Sequence, residues 1–73
     1  MSVALQRREH AIHAIPFIEK SLQTLPSYAP ALVDRSTAYL MVSEFDKCEE
    51  AIAALELIYP THDSVKTLRA AIR

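Results

Sequence analysis

Residues 31–60 read ALVDRSTAYLMVSEFDKCEEAIAALELIYP, and this stretch decides the fold. Its first half places Leu32, Val33, Ser36, Tyr39 and Leu40 at three- and four-residue intervals, the period of one helical face. A weak break at Val42-Ser43-Glu44 follows. The second half resumes the same period with Phe45, Cys48, Ile52, Leu55 and Tyr59, all expected to be buried. Asp46, with Glu49 three positions on, forms a plausible capping pair for this second helix. Pro60 then ends it, since proline neither donates to the helical ladder nor lets its predecessor settle easily into the α region. The reading is therefore helix, turn, helix.

Working outward, Pro26 ends an earlier stretch as Pro60 ends this one. Upstream of Pro26 we expect a short helix over about residues 2–9 and a longer one over about 12–24. The longer helix carries Ala14, Ile18, Leu22 and Leu25 at helical spacing, with Pro16 near its start. Pro30 suits the first position of the helix that runs to Val42. Downstream of Pro60, Thr61 or Asp63 caps a final helix bearing Val65, Leu68 and Ile72. Five helices joined by links of about three to five residues pack as antiparallel hairpins, and consecutive hairpins stack. The fold class is all-α, in one domain of 73 residues.

The chain also matches itself. An offset of 34 sets Pro26 against Pro60, Ala14 against Cys48, Ile18 against Ile52 and Leu5 against Tyr39. Thirty-four residues is the period of the tetratricopeptide repeat, a helix–turn–helix unit that stacks into a solenoid. Residues 31–60 resemble one nearly whole repeat of that family. Leu32 stands at the family's first bulky position and Ser36 at the small residue that lets two helices approach. Tyr39 takes the aromatic place of the first helix, and Phe45 that of the turn. Cys48 occupies the small alanine position, Ile52 the large one a turn later, and Pro60 the terminating proline. Arg35 and Leu55 depart from the pattern, standing where leucine and alanine are usual.

The resemblance divides the chain into a partial first repeat (1–26), a full repeat (27–60) and a last segment (61–73). That segment is either the first helix of a third repeat or a solvating cap. It implies a short right-handed α–α superhelix that binds protein partners along a concave groove. Carried onto this chain, the groove would show Arg7, Val33, Asp34, Thr37 and Met41, with a basic lip of Lys66, Arg69 and Arg73. Such a lip suits an acidic or amphipathic peptide. Some relatives clamp a chaperone's C-terminal carboxylate. Here Asp34 stands where that clamp has an asparagine, and a clamp of that kind is not expected.

Bulk composition narrows the function classes. Half the residues are hydrophobic (51%) and 23% are charged, which favours a folded domain over disorder. A net charge of −1 gives no reason to expect nucleic acid, and no apolar run reaches the roughly 20 residues needed to span a bilayer. One cysteine forms no internal disulfide, so a reducing cytoplasm is the expected compartment. With no glycine, neither a phosphate-cradling loop nor a nucleophile elbow is available. Glu9, His10 and His13 form the one metal-like cluster, but only His10 and His13 share a helical side, short of the three or four convergent ligands that zinc requires. No catalytic residue, metal or cofactor is expected, and binding is the expected activity.

Size adds one more expectation. A chain this short buries only about 60% of its unfolded surface, and solenoids want about three repeats for stability. The end helices should therefore offer Val3, Leu5, Leu68 and Ile72, and the fourth helix Leu57, to a second copy or to a larger assembly.

Overall fold

The computed structural model describes the backbone of residues 3–72 and the side chains of residues 9–72. Among the described residues the chain is all-helical, with four helices and no strand. They are α1 (Val3–Thr24), α2 (Ala29–Met41), α3 (Phe45–Ile58) and α4 (Asp63–Ala71). The expected first and second helices are one. Nothing between Glu9 and Ile12 breaks a helix, and Pro16 lies well inside α1 rather than near its start. A proline there leaves the Ile12 carbonyl without its partner but does not end the helix.

The links are short. Leu25–Tyr28 joins α1 to α2, Val42–Glu44 joins α2 to α3, and Tyr59–His62 joins α3 to α4. The first and last are copies of each other. Thr24 and Ile58 end their helices, Ala29 and Asp63 begin theirs, and each pair lies 34 positions apart. The Tyr28 N–H donates to the Leu25 carbonyl and the His62 N–H to the Tyr59 carbonyl, both at 3.1 Å. The residues before the helices are both extended, Tyr28 at φ −71°, ψ 106° and His62 at φ −66°, ψ 132°. His62 caps α4 itself: its Nδ1 accepts from the Ser64 N–H at 3.1 Å. Thr61 and Asp63 do not supply the cap, because His62 already sits one residue before the helix. Pro30 occupies the second position of α2, not the first.

The middle link is a Schellman turn. The Glu44 N–H reaches the Tyr39 carbonyl at 3.0 Å and the Ser43 N–H the Leu40 carbonyl at 3.1 Å. Ser43 takes the left-handed position, φ 61°, which glycine usually fills. Helix α3 then begins at Phe45 with Glu44 before it, so Asp46 lies within the first turn and does not cap.

Helix α2 is the centre of the molecule, packing on α1, α3 and α4. The core joins Leu22 of α1, Ala31 and Leu32 of α2, Cys48, Ile52 and Leu55 of α3, and Val65 and Leu68 of α4. Ser36 is fully buried among them and returns its hydroxyl to the Leu32 carbonyl at 3.1 Å. Phe45 was expected in this core but is half exposed: at the first position of α3 it has no helix over it. Leu25 is likewise exposed, since α1 has already ended. The Tyr59 hydroxyl donates to the Ser27 carbonyl, pinning the third link to the first.

Candidate functional site

A groove of about 430 Å³ opens between α1 and α2. From α1 it takes His10, Ala11, Ala14, Phe17 and Ile18, residues spaced three or four apart and so stacked on one face. From α2 it takes Asp34, Thr37, Ala38 and Met41, again one helical stripe. The floor is made of small side chains, with Ala11 and Ala38 buried. The rim stands proud, with Phe17 74% exposed and Met41 38%. Thr37 adds little polarity, because its hydroxyl donates to the Val33 carbonyl of its own helix at 3.0 Å. Asp34 is exposed and has no ion-pair partner among the described residues.

A second hollow, of about 410 Å³, continues the apolar edge past Phe17 and Lys20 to Leu25 and Tyr28, both about half exposed. Phe17 belongs to both hollows, so one apolar strip follows α1 to its end.

A third hollow, of about 350 Å³, is polar and lies where α1, α2 and α3 meet. Here Arg35 finds its purpose. Its Nη1 lies 3.8 Å from Glu19 Oε2 on α1, and the Tyr39 hydroxyl donates to Glu19 Oε1 at 3.1 Å. Lys47 Nζ sits 5.8 Å from the Tyr39 ring centre, within cation–π range. Burial, and then the charge and hydrogen bond of Glu19, push the Tyr39 phenol above its usual range. The cluster binds α1 to α2 and leaves one guanidinium atom, Arg35 Nε, buried without a partner.

The expected site residues divide sharply. Asp34, Thr37 and Met41 come together in the α1–α2 groove. Val33 is half-buried and packs against the core. Lys66 and Arg69 stand on α4, outside this groove, and Arg69 Nη2 is tied to Glu56 Oε1 at 3.0 Å. Of the expected assembly residues, Leu57 is 85% exposed. Leu68, however, is buried in the core and Ile72 packs against it. This corrects the expectation for Leu68, since α4 turns its apolar face inward onto α2 and α3, while Ile72 keeps part of its surface exposed. The side chains of Val3, Leu5 and Arg7, and Arg73 altogether, lie outside the described residues.

His10, Phe17 and the alanines of α1 were missed as groove residues. The signal for them was the 34-residue offset itself, which pairs Ala14, Phe17 and Ile18 with Cys48, Ala51 and Ile52. Those three partners are at most 2% exposed beneath α2, while of the α1 set Ile18 is partly buried against the core and Phe17 stays 74% exposed.

Cys48 carries the one described thiol. It is fully buried, and its Sγ contacts the Ser36 carbonyl at 3.3 Å. Burial and, secondarily, Glu49 push its ionisation up, which suits a packing residue. Among the described residues no three His, Cys, Asp or Glu side chains converge as a metal site would require, and no helix is long and apolar enough to cross a membrane. Comparison with known protein families, with curated proteins and with solved structures finds no match for this chain.

Proposed function

We propose that this chain is a protein-interaction module of tetratricopeptide-like build, an adaptor, scaffold or small chaperone of the cytoplasm. Its activity is to hold a helical segment of a protein partner. The repeat reading draws support from the two matching links, with helix ends and starts 34 positions apart. The observation that carries the binding reading is the α1–α2 groove. It is apolar, floored by alanines, and rimmed by Phe17 and the adaptable Met41. The basic lip on α4 takes no part in this version, because neither Lys66 nor Arg69 lines the groove.

The test is to pan a displayed library of amphipathic helical peptides against the purified chain. Binders should lose at least about tenfold in affinity against Met41→Glu, because a carboxylate then faces their apolar side. Against Lys66→Glu they should be unaffected. Peptides that bind both variants and the parent equally would remove the groove from the proposal.

A further inference from the structure

We infer that the occupant of the α1–α2 groove is a second copy of this chain, joined to the first across a two-fold axis. The inference rests on the groove being a docking surface, and adds what docks there.

On α3, Cys48, Ala51, Ile52 and Leu55 are at most 2% exposed, because α2 lies over them. Their counterparts 34 positions earlier are Ala14, Phe17, Ile18 and Ser21 on α1. Ala14 and Ile18 are only partly covered, Ile18 by packing against the core, and Phe17 is left 74% exposed. The surface is therefore built to receive a helix.

The two ends of the stack then differ. At the far end α4 turns Val65 and Leu68 into the core and shows Lys66, Thr67 and Ala70 to solvent. Head-to-tail stacking would set the exposed Lys66 and Thr67 of α4 against the alanine floor, with Asp34 alone to meet the ammonium. The near end set against itself instead pairs apolar strip with apolar strip, and leaves Asp34, the exposed carboxylate of the groove, to be kept in water. Like-on-like contact is isologous and closes at two copies, whereas a head-to-tail contact would run on as a filament.

Shape and area agree. Each copy offers a projecting Phe17 and, beside it, a groove of about 430 Å³ floored by alanines. A two-fold contact lets each Phe17 enter the other's groove. The exposed parts of Phe17, Leu25, Tyr28 and Met41 come to roughly 400 Å² per copy, judged from the full area of such side chains. An interface of ordinary composition with roughly 800 Å² of apolar area buries about 1,400 Å² in all, within the range of stable complexes.

The experiment is sedimentation equilibrium from low micromolar to several hundred micromolar, on the parent, Phe17→Glu and Leu57→Glu chains. The parent should pass from monomer to dimer and stop there. Phe17→Glu should weaken association by at least about 30-fold with unchanged helical circular dichroism, since its side chain is exposed within the monomer. Leu57→Glu, at the exposed α3 residue also expected in assembly, should dimerise as the parent does, and loss of the dimer there would overturn the inference by placing the contact on α3. In a Cys48→Ala background, Phe17→Cys and Met41→Cys chains carrying different tags should form a mixed disulfide on mild oxidation. A parent that stays monomeric, a Phe17→Glu chain that dimerises normally, or growth beyond two copies would each overturn the inference. If the chain is monomeric yet helical peptides still need Met41, only the second copy is excluded. If it neither dimerises nor binds peptides, the groove reading falls as well.

Discussion

Ser43 holds a left-handed backbone without being glycine. For a residue with a Cβ this costs about 1–2 kcal/mol, partly offset because glycine loses more freedom on folding. Ser43→Gly should therefore raise stability by about 1 kcal/mol, read as a higher urea midpoint with an unchanged slope. At this scale much was readable beforehand. Leu32, Ser36, Cys48, Ile52 and Leu55 fall where the helical period places a core, and all are buried. Phe45 was misjudged because hydrophobicity and period fix which face a residue takes, not whether another helix lies over it. Leu68 shows the same limit from the other side. The pattern marks it as apolar, but only the inward turn of α4 decides that it belongs to the core.

The helices themselves were marked by proline, and proline works in two ways here. Pro26 and Pro60 lie two residues past the ends of α1 and α3. Pro16 lies inside α1 with its ring exposed. Its cost of about 3 kcal/mol relative to alanine is partly recovered by restricting the unfolded chain. Pro16→Ala should accordingly stabilise the protein by about 2 kcal/mol, seen in chemical denaturation followed by circular dichroism. The break expected near residues 10–11 has no physical cause in the sequence, and the helix runs through. The groove was half legible for a related reason. Asp34, Thr37 and Met41 could be placed on one face of α2, but the exposure of Phe17 depends on which described helices pack over α1, and that is not written in the period of α1.

The whole molecule is a thin slab, with extents of 37 × 30 × 18 Å, so its core is a single seam. Total stability for a chain of this length is roughly 4–11 kcal/mol. Ile52→Ala, at the centre of the seam, should remove about 2–5 kcal/mol and lower the midpoint of the thermal melt by about 10 °C or more. Leu57→Ala, at an 85% exposed position, should change stability by no more than about 0.5 kcal/mol.

Cys48 sits in that seam beneath α2 with no exposed surface, its thiol turned to the Ser36 carbonyl. An alkylating reagent in solution meets this sulfur only when α2 lifts away from α3. The chain thus carries its own clock for that opening. Under conditions where reclosing outpaces alkylation, the labelling rate divided by that of a free thiol gives the fraction of time the seam stands open.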